Sequence, residues 1–386
     1  MSETNDKYTR IEKDVTQEEK DNLNELIERF KHHYTELARA QNSVGYSSCA
    51  LFCKLEISED DIKANVPKEL QTGLFAQSGK YDGVVRFNAT TDAAARMSIR
   101  VNIPNNVGGP VLDECQESAY PQKYKQIDFL FAEELKEFPF HEYQDLTNLM
   151  GLKESFIKFI WGALGRFGTT LSSVKNAKHA KEVISHQSGL VGKSYYGGLP
   201  FKLGKNGAMK WAILPKQSHD LDEDNATTPE NVEKSAKSYM ESLTKWLSDN
   251  KSTGEDGAKW DFVIQIAQND DAGSDDEFNI ELGDAKWDES KSPYIKVGTL
   301  TVMNTQEIDV NTKLNKLFHP NDTTTTSSPE YNSIQFNPWN MLQAHQPLGP
   351  FNRARKEIYP IVSKMRREYG NKEEVPKTCP FLELMK

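Results

Sequence analysis

Cys49-Ala-Leu-Phe-Cys-Lys-Leu-Glu-Ile57 is the stretch at which the chain changes its period. Upstream, Leu23, Leu26, Ile27, Phe30, Tyr34 and Leu37 recur at steps of three and four on a charged background, which predicts a helix over 17–41. Thr16 is placed to cap it, with Glu19 three residues on as its capping-box partner. From Cys49 the pattern becomes that of a strand, and it returns in Gly83-Val-Val-Arg-Phe-Asn88 and Met97-Ser-Ile-Arg-Val-Asn-Ile103. Successive side chains of a strand face opposite sides, so each of these runs has one face to bury.

Working outward, residues 128–190 form a mixed stretch with aromatic-rich helical segments, notably Glu154–Leu164. Ser194–Leu203 and Ala208–Leu214 read as strands about a Gly204–Gly207 hairpin turn, and Trp260–Gln268 and Tyr294–Met303 as strong strands. Residues 216–228 read as a polar loop. A helix to about 248 follows, with Thr228 as cap and Pro229 in its first turn. Asn321–Pro329, with four consecutive threonines and two serines, is low-complexity. Pro338–Ala344 and Asn352–Tyr369 read as helical, the second with a bend at Pro360. This order of elements is α+β and predicts an antiparallel β-barrel with helices packed around it. The organisation expected is an N-terminal helical arm over 1–45 and one domain over 46–386, with 216–250 and 321–330 as insertions or loops.

A chain of 386 residues, 37% hydrophobic and 27% charged, is long enough to bury a substantial core. A net charge of −10 with no lysine- or arginine-rich stripe argues against a nucleic-acid partner. No apolar run of about 18 residues exists, so no transmembrane segment is expected. The polar, acidic start (Met1-Ser-Glu-Thr-Asn-Asp6) is unlike a secretory leader, which makes a cytoplasmic location the expectation. Of the four cysteines, Cys49, Cys53, Cys115 and Cys379, only the first two are close, so a zinc site is not expected. On a strand Cys49 and Cys53 share a side and read as small apolar filler.

Near the C-terminus stands Arg355-Lys-Glu-Ile-Tyr359, followed by Arg366 and Arg367. Four residues apart on a helix, Arg355 and Tyr359 are neighbours on one face. A free tyrosine titrates near pH ~10, but a trivalent metal and an adjacent guanidinium both favour its phenolate, which can then ligate ferric haem. The same spacing suits an amphipathic helix with a surface Arg–Tyr pair, so the motif by itself leaves both readings open.

Several further segments resemble the haem catalase superfamily, in particular its smaller catalase-related members, allene oxide synthase-like proteins among them. Gly73-Leu-Phe-Ala76, Tyr81 and Val85-Arg-Phe-Asn88 look like the family's R-F-S strand. Lys193-Ser-Tyr-Tyr-Gly-Gly-Leu-Pro-Phe-Lys-Leu-Gly204, ending in Met209-Lys-Trp-Ala, is similar to its S-Y-Y strand pair. Phe262-Val-Ile-Gln265, Trp287-Asp-Glu289, Ser292-Pro-Tyr294 and Gln306 resemble its F-x-x-Q, W-x-E and S-P run. Phe336-Asn-Pro-Trp339, His345-Gln-Pro-Leu-Gly349 and Asn352-Arg-Ala-Arg355 look like the approach to the proximal tyrosine. The matches keep the family's order over residues 73–369, roughly three-quarters of the chain.

The resemblance implies a catalase-type barrel holding ferric haem b, with 335–369 as the proximal haem segment. Tyr359 would be the axial metal ligand, with Arg355 hydrogen-bonded to its phenolate oxygen. Arg86 and Arg366 would pair with the haem propionates, since a guanidinium can bond both oxygens of a carboxylate. His345 reads as a turn or core histidine, because the tyrosine already fills the axial position.

The distal side departs from the family. Catalases place a histidine in R-x-x-H-A-x-G before the first barrel strand; here Arg39-Ala-Gln-Asn-Ser-Val-Gly45 puts Asn42 at that position, and no histidine lies between His33 and His141. Asp128-Phe-Leu-Phe-Ala-Glu133 resembles the family's D-F-L-x-x-N, with Glu133 in place of the asparagine. Asn42 and Glu133 are therefore the distal catalytic candidates. An amide orients a bound oxygen but shuttles protons poorly, so hydrogen peroxide disproportionation is expected to be weak. The resemblance implies a peroxidase or rearrangement activity on an organic or fatty-acid hydroperoxide, or another small apolar substrate. It also implies a homo-oligomer, such as a dimer, assembled through the N-terminal arm. The alternatives are a non-catalytic haem protein, or a haem-free relative whose barrel binds a ligand or partner.

Overall fold

Every strand pairing among the described residues is antiparallel. The strands are β1 (Tyr46–Ile57), β2 (Gly79–Thr90), β3 (Ala93–Pro104), β4 (Tyr124–Glu133), β5 (Tyr195–Tyr196), β6 (Phe201–Leu203), β7 (Gly207–Pro215), β8 (Ala258–Ile266) and β9 (Ile295–Val302). Their order is β5-β4-β3-β2-β1-β9-β8-β7-β6, and β5 pairs with β7 as well as β4. That second pairing closes eight strands into a barrel, leaving β6 as the outer arm of the β6–β7 hairpin. The computed structural model of the chain describes residues 13–41, 46–90, 93–112, 124–138, 141–142, 189–217, 243, 245–247, 249, 257–268, 278–303 and 336–370. Glu154–Leu164, most of the helix expected after Thr228, and Asn321–Pro329 lie outside these residues.

The alternation that predicted the strands also fills the barrel. Leu51, Cys53, Leu55 and Ile57 of β1 point inward with Val85 and Phe87 of β2 and Met97, Ile99 and Val101 of β3. Across the barrel Phe129 meets Trp211 and Phe262 edge-on, with ring centroids 4.9 and 5.4 Å apart. Cys53 is apolar filler here, and burial pushes its thiol well above the ordinary range. Gly298 marks a tight point beside a bulge at Phe262/Val263: a Cβ there would fall on the carbonyl oxygen of Glu56 in β1.

The outer face of β1–β4 is divided. Toward one end it carries solvated cross-strand ion pairs, Lys54–Asp82 at 3.8 Å and Lys80–Glu56 at 3.1 Å. Toward the other, Ala50, Phe52, Val84, Arg86, Asn88, Ser98 and Asp128 are buried. An antiparallel sheet buried on both faces needs a second layer. Residues 336–342 supply part of it: Asn337 N–H donates to Asp128 Oδ2 at 2.9 Å, and Asp128 N–H donates to the Asn340 carbonyl at 2.8 Å.

Helices whose full extent lies among the described residues are α1 (Gln17–Gln41), α2 (Glu59–Asn65) and α3 (Pro350–Gly370). Phe351, Ala354 and Ile358 form the buried stripe of α3. Helix α1 packs against α3. Thr16 Oγ1 accepts the Glu19 N–H at 3.1 Å, as the cap predicted. The Glu19 carboxylate reaches Arg353 of α3 at 2.7 and 3.1 Å, and Glu281 takes the same guanidinium at 3.3 Å.

Residues 124–133, which enter the stretch read as mixed, are strand β4. Two segments differ from expectation. Ser194–Leu203 is not one strand, because Gly197 and Gly198 separate β5 from β6 and Gly198 has φ +71°. Pro338–Ala344 is not an α-helix. Its backbone bonds outward instead: Leu112 N–H donates to Met341, Gln343 N–H donates to Pro110, and only a 3-10 turn, Gln343–His345, follows. No helix among the described residues is long and apolar enough to cross a membrane.

Candidate functional site

Tyr359 lies on α3, half-buried, one turn after Arg355. Arg355 Nη2 donates to the Tyr359 phenol oxygen at 3.0 Å, and the guanidinium carbon stands 5.2 Å from the ring centroid. A guanidinium has donors only, so the tyrosine oxygen accepts in this contact. The helix sets this geometry, since residues four apart stack on one face.

Arg355 is itself held. Its Nη1 donates to Asn352 Oδ1 at 3.3 Å. Asn352 is fully buried and donates through Nδ2 to the carbonyls of Pro200 at 2.8 Å and Leu348 at 3.0 Å. Its own carbonyl accepts Trp339 Nε1 at 2.6 Å. The tyrosine is thus tied through one asparagine to the β5–β6 connection and to the 336–342 layer.

Arg86 stands on the buried outer face of β2, its guanidinium 4.6 Å from the centroid of Phe336. Arg100 of β3 approaches the same ring at 5.4 Å and forks onto Asp128, both bonds at 2.6 Å. The structure therefore brings Arg86 against Phe336, near the start of the 335–369 segment that carries Tyr359. Asn42 lies outside the described residues, and for Arg366 only the helical backbone is described.

Glu133 ends β4 and is buried. One carboxylate oxygen is ion-paired with Lys193, and the other accepts the Ala95 N–H at 2.8 Å. The pair ties β3 and β4 to the chain entering β5, next to the closure of the barrel. Acid–base work by Glu133 would require this pair to open.

His345 is a core residue. Nε2 accepts the Leu74 N–H at 2.9 Å, and Nδ1 lies 3.2 Å from the Lys202 carbonyl, so the neutral ring satisfies both. Gly73, with φ +58°, leaves room for the imidazole: a Cβ there would stand 2.5 Å from Nε2. Desolvation pushes the imidazole down to about 4 from an ordinary 6.5. The folded value lies below the unfolded one, so this stabilisation is complete above pH 6.5 and fades as pH falls toward 4. Between pH 7 and 4 the chain should lose roughly 3 kcal/mol more stability than His345→Gln, read from denaturant midpoints. Equal losses would remove His345 as the cause.

Sequence reasoning missed three partners: Arg100 for Asp128, Lys193 for Glu133, and Asn352 for Arg355. Asp128, Lys193 and Asn352 all stood inside quoted motifs. Local spacing carried no sign of what each would touch, except that Asn352 lies three residues before Arg355 on the same helix.

No family model matches the sequence, and a search of curated proteins found no significant match. Solved structures are similar. A bacterial catalase superposes with a TM-score of 0.53 at 14% identity, over 89% of this chain and 64% of its own. Catalase A from Saccharomyces cerevisiae gives 0.53 at 12%, over 90% of this chain and 66% of its own. The fold is catalase-like. This chain spans just under two-thirds of the length of these catalases. At such identity the likeness shows the fold alone.

Proposed function

We propose that the chain is a haem-dependent oxidoreductase that acts on organic or fatty-acid hydroperoxides, as a peroxidase or by rearranging them, and that it disproportionates hydrogen peroxide poorly. The observation that carries the reading is the hydrogen bond from Arg355 Nη2 to the Tyr359 oxygen at 3.0 Å. The donor set fits a ferric haem. Tyr359 offers a hard oxygen, Arg355 contributes a positive charge that favours its anionic form, and Arg86 offers a guanidinium suited to a propionate. When bound, haem supplies the redox chemistry at the oxygen–oxygen bond. The protein's part is to hold the phenolate, orient the macrocycle and shield its substrate face from water.

The preference against hydrogen peroxide rests on Asn42 standing where the catalases carry histidine. Without an imidazole to take a proton and return it to the leaving oxygen, heterolysis of a small peroxide loses about 10²–10⁴-fold. A rearrangement that splits the oxygen–oxygen bond homolytically needs no such transfer, and an apolar hydroperoxide gains binding from its own chain. A cytoplasmic locale and a homo-oligomer, such as a dimer, assembled through the N-terminal arm belong to the same proposal.

The test is a ferric spectrum of the haem-loaded chain, followed by a hydroperoxide panel. The expected result is a high-spin Soret and charge-transfer spectrum, with turnover of cumene and fatty-acid hydroperoxides exceeding that of hydrogen peroxide. A chain that holds haem yet consumes none of them is a carrier or sensor. A chain that stays colourless in the presence of haem has lost the haem reading altogether.

A further inference from the structure

We infer that Asn352 is a positioning residue that orients Arg355 toward Tyr359 and so sets how tightly the tyrosine grips haem; this rests on the haem reading above. The amide can face only one way. Its Nδ2 donates to two carbonyls, Pro200 at 2.8 Å and Leu348 at 3.0 Å. Both hydrogens of the group are then used, and Oδ1 is left to face Arg355. Flipping the amide would set an NH2 against an all-donor guanidinium and an oxygen against two carbonyls. Burial makes that arrangement costly, because Asn352 is completely shielded from solvent.

The consequence falls on the arginine. An arginine side chain has several rotatable bonds, and a half-buried one facing a single phenol can swing away from it. Asn352 Oδ1 takes Nη1 at 3.3 Å, and the rigid planar fork then directs Nη2 to Tyr359 at 3.0 Å. Asn352 is anchored in turn from outside its helix. Pro200 belongs to the β5–β6 connection, and Trp339 Nε1 donates to the Asn352 carbonyl at 2.6 Å. The position of the tyrosine's cationic partner is therefore set by the barrel and the 336–342 layer, in addition to the helix that carries both residues.

A double-mutant cycle on the haem-loaded full chain tests this. Asn352→Leu is combined with Arg355→Ala, and haem transfer to an excess of an apo-globin acceptor is timed along with the ferric spectrum. Asn352→Leu should speed haem loss about tenfold and weaken the charge-transfer bands, as outer-shell changes at metal ligands commonly do. In the Arg355→Ala background it should change the rate less than about twofold, because its effect passes through that guanidinium. Asn352→Ser, which leaves room for water at the two carbonyls, serves if the leucine variant does not fold. Equal acceleration in both backgrounds would show a merely structural asparagine and overturn the inference. So would an unchanged rate in the Arg355-containing chain. If the unaltered chain takes up no haem, the functional reading falls and this inference falls with it. If it takes up haem and the cycle is additive, the inference falls alone.

Discussion

Tyr359→Phe is expected to abolish stable ferric haem binding, with haem lost more than about 100-fold faster than from the unaltered chain. Outer-shell changes alone cost about 10–100-fold in affinity, and removal of the ligand atom itself should exceed them. Phenylalanine fills the ring's space on α3, so packing should survive while the oxygen that Arg355 contacts disappears. Two readouts separate ligation from folding. The thermal midpoint of the haem-free chain should move little, whereas the Soret and charge-transfer bands should collapse to those of weakly held haem. An unchanged Soret band in this variant would sink the assignment of Tyr359 as the haem ligand and with it the proposed chemistry.

Asp128→Ala should destabilise the fold by about 3–5 kcal/mol, the usual cost of removing one partner of a buried ion pair. Asp128 is fully buried and receives both arms of Arg100 at 2.6 Å and the Asn337 N–H at 2.9 Å. Its loss removes both bonds of the fork that holds the Arg100 guanidinium, 13% exposed, and takes away the acceptor of an amide of the covering layer. Asp128→Asn combined with Arg100→Met should recover more than half of the loss, because that pair removes the charge and keeps an acceptor for Asn337. Urea midpoints at constant slope give the comparison. A change below about 1 kcal/mol for Asp128→Ala would mean that other contacts hold the 336–342 layer to the barrel.

These two residues show different degrees of legibility. Arg355 and Tyr359 could be paired from their spacing, because a helix makes residues four apart neighbours wherever it lies. Asp128 stood inside a quoted motif, yet its partner 28 residues earlier was not visible. A cross-strand ion pair depends on register, and register is set by how whole strands assemble. Glu133 shows the same limit. Its motif position suggested a distal acid, whereas the assembled barrel ties it to Lys193, 60 residues away.

The amino-acid order by itself determined the period of the main strands, the capped first helix, the stripe of the last one and the Arg355–Tyr359 neighbourhood. Each depends on interactions within a few residues. Only the tertiary structure decided the remainder. It closed β5 onto β7, paired 124–133 as a strand and drew 338–344 away from helix by giving its backbone partners at Pro110 and Leu112. It also placed Asn352 between the barrel and Arg355. Buried polar groups must find partners somewhere, and which partner each finds depends on what folding brings within hydrogen-bond reach.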